Sequence, residues 1–187
     1  MGLFDRLQNN NNNNNNDSRQ ASTSNNSVTV TFDKLPETLD ELKATPKAAL
    51  STPFMTAALA VCAYCCYAVD KQIGKDMLNF LKGPKPLSNY DIQFINDRLS
   101  DKAYLPFSYF HGAVPSNDYR PDEPYRITFF EDPYSYQNDG YAKLNVRSGG
   151  ADSPRQIVLR KKGDQWFLWE QYILVGIRLP ASQDDWS

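Results

Sequence analysis

The stretch Gly163–Pro180, GDQWFLWEQYILVGIRLP, constrains the fold more than any other part of the chain. It is the densest run of large apolar and aromatic residues. Extended side chains alternate faces with period two. Phe167, Trp169, Gln171, Ile173, Val175, Ile177 and Leu179 then share one side. Trp166, Leu168, Glu170, Tyr172, Leu174 and Arg178 share the other. Both sides are largely apolar. The stretch reads as a core strand covered on both faces, or bent so that each half covers something. Either way the chain must supply a second layer.

The upstream sequence supplies one. Thr52 is placed to cap a helix, with Pro53 in its first turn, and Phe54–Val69 is apolar apart from Thr56. A membrane span needs about 20 apolar residues, and this run is short and rich in Ala, Cys and Tyr, so a buried helix is expected. Its alanines would let it lie close to a sheet. After an expected interruption at Gly74, Met77, Leu78, Phe80 and Leu81 continue helically to Gly83-Pro84. Thr38 and Glu41 have capping-box spacing before a short helix at Leu39–Ala44. Ser88 and Asp91 open another over Ser88–Lys102, with Ile92, Ile95 and Leu99 at helical spacing. Tyr104–Pro124, with four prolines and five aromatics, reads as an ordered loop.

Strands surround these helices in sequence. Val28–Phe32 alternates β-branched and aromatic residues. Tyr125–Glu131, Gly140–Ser148 and Arg155–Lys162 follow, and Lys162-Gly163-Asp164 is a hairpin signal into the opening stretch. Short connections favour antiparallel neighbours. The expected fold is α+β: N-terminal helices packed on one face of a four- to five-stranded, mainly antiparallel, curved sheet, over residues 28–182. Residues 183–187 form a tail. Residues 1–27 read as a disordered leader with an Asn-rich linker, because Asn9–Asn16 and its polar surroundings cannot offset the entropy of ordering. The amphipathic start, Met1–Leu7, is a docking element for a partner or a membrane surface at most.

Three sequence blocks resemble an uncharacterised bacterial family that carries only a domain-of-unknown-function label. They are FDKLPETLDEL at Phe32–Leu42, the Ala- and Cys-rich helix, and Pro133–Gln171. The resemblance covers roughly Val28–Pro180 and implies a bacterial, single-domain protein. It brings no catalytic residues with it. In architecture alone, helices followed by a curved meander also look somewhat like the cone-shaped NTF2-like and SnoaL-like folds.

Composition narrows the function classes. The formal net charge of −2 provides no broad drive toward nucleic acid or an anionic membrane, and no nucleic-acid partner is expected. Three cysteines, Cys62, Cys65 and Cys66, crowd into one apolar helix. Cys62 and Cys65 have the gap of zinc and redox sites, but a zinc site needs about four ligands and the chain holds one histidine, His111. Inert packing thiols in a reducing compartment are expected, with no metal and no cofactor. No secretory h-region stands at the N-terminus, and the expected location is cytoplasmic.

Candidate chemistry centres on Glu170, a carboxylate inside an apolar strand. There it should be desolvated with a raised pKa, unless it pairs with Arg147 or Arg160 across the strands or lies on an exposed face of the strand. His111, in SYFHGAV, is the second acid–base candidate. Trp169, Tyr172, Tyr136 and Arg147 form the candidate ligand-binding set, within a wider group of aromatics that also serves as sheet core. Arg155, Arg160, Lys161 and Lys162 read as a solvated hairpin tip. The leading expectation is a non-catalytic module binding a protein or a small molecule. The alternative is a small-molecule enzyme with a cone-like pocket, using Glu170 as acid or base.

Overall fold

Caps and turn residues set the element boundaries, in a computed structural model that describes residues 26–186. Strand β1 is Ser27–Phe32. Helix α1 is Leu39–Ala44, and Thr38 accepts the Glu41 amide at 3.1 Å. Helix α2 is Pro53–Val69, capped by Thr52, with Pro53 in its first turn. Helix α3 is Lys71–Lys82 and helix α4 is Asn89–Leu99, the latter opened by a reciprocal Ser88–Asp91 capping box. Strands β2 (Tyr125–Phe130), β3 (Tyr141–Val146), β4 (Arg155–Lys162) and β5 (Gln165–Gln171) complete the set. The segment Met1–Leu7 and the Asn-rich run lie outside the described residues.

The break between α2 and α3 falls at Asp70 rather than at Gly74. The Asp70 carboxylate accepts the amides of Gln72 and Ile73 and starts a new helix. Gly74 sits inside α3, where a Cβ would collide with the backbone of Tyr67. The glycine marks the closest approach of two helices, and its missing side chain is what permits it.

The strands form one open antiparallel sheet in the order β1-β2-β3-β4-β5. Alternation assigns its faces. Val30, Phe32, Ile127, Phe129, Ala142, Leu144, Val146, Ile157, Leu159 and Leu168 point inward and are buried. Helix α2 lies on that face, and its Ala57, Ala58, Ala60 and Ala63 are wholly buried. Small side chains let a helix backbone approach a sheet closely, and the contiguous core that results supplies most of the favourable burial energy.

Strand β5 is an edge strand, not a central one. Its free edge is sealed by the helical layer. The Trp166 amide donates to the Leu50 carbonyl at 2.8 Å, Thr56 Oγ1 donates to the Trp166 carbonyl at 2.8 Å, and Lys82 Nζ reaches the Trp169 carbonyl at 3.3 Å. Unpaired edge groups invite further strands, and these contacts remove the opportunity.

The regular strand also ends at Gln171, short of Pro180. Beyond it, side chains take the backbone carbonyls. Tyr109 Oη donates to Ile173, Arg155 to Val175 and Gly176, and Tyr119 Oη to Arg178. Ile173 and Leu174 stay buried without a strand to carry them. Arg155 therefore belongs to this clamp and not to the hairpin tip. Tyr104 and Tyr119 stack at 5.2 Å inside the ordered 104–124 loop.

Candidate functional site

The β4–β5 pairing slips by one residue. Leu159 pairs with Leu168 and Val158 with Glu170, so Trp169 is the extra residue of a bulge. A bulge bends its strand and re-aims the side chains beside it. Here it sends Trp169 out onto the uncovered face, edge-to-face with Tyr141 at 5.9 Å. Glu170, opposite the outward-facing Val158, follows it. Tyr172 then donates its phenol to Glu170 Oε2 at 2.9 Å.

This ridge borders a groove of about 530 Å³. Tyr141, Lys143, Gln156 and Val158 form its floor, and Tyr134, Ser135, Gln137 and Asn138 its far wall. The wall exists because β2 and β3 pair at only two positions, Phe129–Val146 and Phe130–Asn145. The 131–140 connection takes over beside β3. The Lys143 amide donates to the Ser135 carbonyl at 2.8 Å, and Asn145 Nδ2 to Asp132 Oδ2 at 2.9 Å. Across the ridge, a second hollow of about 340 Å³ opens toward α4, with Tyr90 and Asp91 on its rim. Tyr90, Tyr134 and Tyr172 are all exposed around the two hollows.

Of the environments expected for Glu170, the structure has the exposed strand face and neither the desolvated site nor the ion pair. The carboxylate is exposed on an edge strand and accepts from Tyr172, and neither Arg147 nor Arg160 forms an ion pair with it. The expected desolvation fails because the strand is at the edge and the bulge turns the carboxylate outward. The hydrogen bond to Glu170, more than burial, holds the Tyr172 phenol above its ordinary pKa.

The remaining candidates divide. Tyr136 is half-exposed and donates to Glu131 Oε1 at 2.5 Å, apart from the groove lining. Arg147 lies over the Phe130 ring at 5.4 Å and shares a separate hollow, of about 420 Å³, with His111. His111 Nε2 bonds Thr128 Oγ1 at 2.8 Å, which bonds Thr29 Oγ1 at 2.7 Å. The structure thus joins Trp169, Glu170 and Tyr172, and separately joins His111 and Arg147. Lys143 and Gln156 were missed, since in sequence they are ordinary polar positions of alternating strands.

The thiols are packing groups. Burial pushes Cys62 and Cys65 well above the ordinary thiol range. Cys66, which donates to the Pro36 carbonyl at 2.9 Å, is pushed up to about 11, first by burial and then by Glu37. Among the described residues no group of three or more His, Cys, Asp or Glu side chains could hold a metal ion. No helix among them is long and apolar enough to cross a membrane.

Among the described residues, four helices and a five-stranded antiparallel open sheet, with α2 packed across one face, define an α+β protein. Residues 34–181 match the family described as a domain of unknown function, DUF6935, and the chain belongs to that family. No curated protein matches it. No solved structure matches either, and the architectural likeness to NTF2-like folds gains no support there.

Proposed function

We propose that the protein is a bacterial, cytoplasmic, non-catalytic binding module that takes a small ligand in the groove beside Trp169, Glu170 and Tyr172. The bulge at Trp169 carries this reading, since it turns an indole and a carboxylate onto one open face beside an exposed phenol. Ligand grooves of about 300–1,000 Å³ combine apolar walls with a few directed polar groups, and the groove here, at about 530 Å³, has Lys143 and Gln156 for that role. Rigid aromatic side chains offer contact area at low entropic cost. The ligand this surface suits has one ring or apolar face and a hydrogen-bonding edge.

The test is ligand-observed NMR saturation transfer against a fragment set of cyclic polyols and aromatic carboxamides. Fragments that bind the wild type should lose their signal with Trp169→Ala and Tyr172→Ala and keep it with His111→Ala. Binding unaffected by Trp169→Ala would sink the proposal. The Glu170–Tyr172 hydrogen bond favours one second reading, in which Glu170 works as an acid or base on a bound small molecule. That reading takes over if a bound fragment is chemically converted by the wild type and not by Glu170→Gln.

A further inference from the structure

On the other side of Trp169 lies a cleft of about 410 Å³ that sequence order conceals. Lys82 and Lys85 reach it from the end of α3 and the turn that follows. Arg160, Lys161 and Lys162 reach it from the end of β4. Five basic residues from two parts of the fold thus border one cleft in a chain whose formal net charge is −2. Gly83 makes the approach possible, because a Cβ there would strike the Phe167 ring that lines the same cleft.

Among the described residues, no salt bridge engages these cations. The ion pairs among the described residues are those of Lys34 with Glu37 and Glu41, and of Arg178 with Asp152. Asp91 and Glu170 act on Lys82 through their charge, and Asp91 on Lys85 as well, but both carboxylates are hydrogen-bonded elsewhere. Asp91 accepts from the amide and hydroxyl of Ser88 at 2.8 and 2.7 Å, and Glu170 accepts from Tyr172 at 2.9 Å. The Trp169 ring orders the set instead, with the Arg160 guanidinium at 4.5 Å and the Lys85 ammonium at 4.7 Å from its centroid. Lys82 is half-buried and fixed on the Trp169 carbonyl at 3.3 Å. A solvated hairpin tip would account for Lys161 and Lys162. It does not account for like charges from a distant helix end held against the same indole.

We propose that this cleft binds a small, multiply charged phosphate compound, with Arg160 and Lys85 as its principal contacts and Lys82, Lys161 and Lys162 completing the field. Guanidinium and ammonium groups together suit phosphate oxygens: the planar fork of arginine supplies paired donors, and lysine a point charge. Several cations around one small volume favour an anion with two or more charges over a monoanion. This cleft shares only Trp169 with the groove across the ridge, and its failure would leave that proposal standing.

Isothermal titration of the full chain with inorganic tripolyphosphate at low salt tests it, with chloride as the monoanion control. The wild type should bind one equivalent, more weakly as salt is raised. The double variant Lys85→Gln/Arg160→Gln should bind about tenfold more weakly or worse. Lys71→Gln/Lys102→Gln removes the same charge elsewhere and should bind like the wild type. Equal losses in both doubles would reduce the effect to net charge and overturn the site. So would absent binding in the folded wild type, or a single-stranded oligonucleotide that binds far more tightly than tripolyphosphate, which would make the surface a nucleic-acid track.

Discussion

The two faces of the sheet have opposite constitutions. The inner face presents Ile127, Phe129, Leu144, Ile157 and Leu159 to α2, and each is wholly buried. The outer face presents Thr29, Thr128, Lys143, Gln156, Val158 and Arg160, and among the described residues no helix is packed over it. One face serves stability, while the other is free to hold grooves. The outer face is itself uneven. At the β1–β2 end, His111, Thr128 and Thr29 form a closed hydrogen-bonded chain, and Arg147 is laid on Phe130. At the β5 end a bulge leaves Trp169, Glu170 and Lys143 facing an open groove. A titratable side chain is a poor guide to a site when its hydrogen bonds are already satisfied within the fold.

The comparison breaks first, and hardest, at Leu144. Leu144→Ala should cost about 2–5 kcal/mol in denaturant unfolding, while its outward neighbour Lys143→Ala should fall within about 0.5 kcal/mol of the wild type. Equal costs would mean that the faces do not differ as described. Gly74→Ala tests the helical layer over the inner face, since the added methyl meets the Tyr67 backbone. Overpacking of this kind costs about 1–3 kcal/mol, and a thermal midpoint unchanged from the wild type would show that α2 and α3 can part without penalty.

His111→Ala sharpens the contrast between the two ends of the outer face. Losing the bond to Thr128 should cost about 0.5–1.5 kcal/mol and leave fragment binding at the Trp169 groove intact. The smallest effect is electrostatic. The Glu170 hydrogen bond raises the Tyr172 phenol pKa, so the folded state holds that proton at pH values where the unfolded chain has released it. Its contribution is present below the ordinary phenol pKa of about 10 and is lost as pH rises through the folded value. In Glu170→Gln, carbon-13 NMR of labelled tyrosine should show Tyr172 titrating at lower pH than in the wild type. An unchanged titration would disprove the contact.

Much of this was legible from local chemistry. Helices beginning after Thr38, Thr52 and Ser88 followed from capping side chains, which act within one turn of the backbone. The β4–β5 hairpin followed from Lys162-Gly163-Asp164. The thiols were readable as packing groups because their neighbours in one apolar helix are small or aromatic. Glu170 stands out in its strand by residue type, and of the surroundings open to it in the sequence the structure has the exposed face. Strand alternation cannot show whether a strand lies at an edge, nor whether one extra residue interrupts its pairing. Arg147 was grouped with Trp169 on residue type, and only strand order places it at the other end of the sheet beside His111.

The sequence by itself determined the α+β class, the helix starts and the odd carboxylate at position 170. Those features depend on interactions within a few residues, or on a period that any extended or helical chain must obey. Tertiary structure alone decided that β5 is an edge, that Trp169 is bulged outward, and that Lys82 and Lys85 come to lie beside Arg160. These outcomes depend on which distant backbone groups find partners. The Leu50 carbonyl and the Thr56 hydroxyl seal an edge more than a hundred residues away, and no local pattern encodes that pairing.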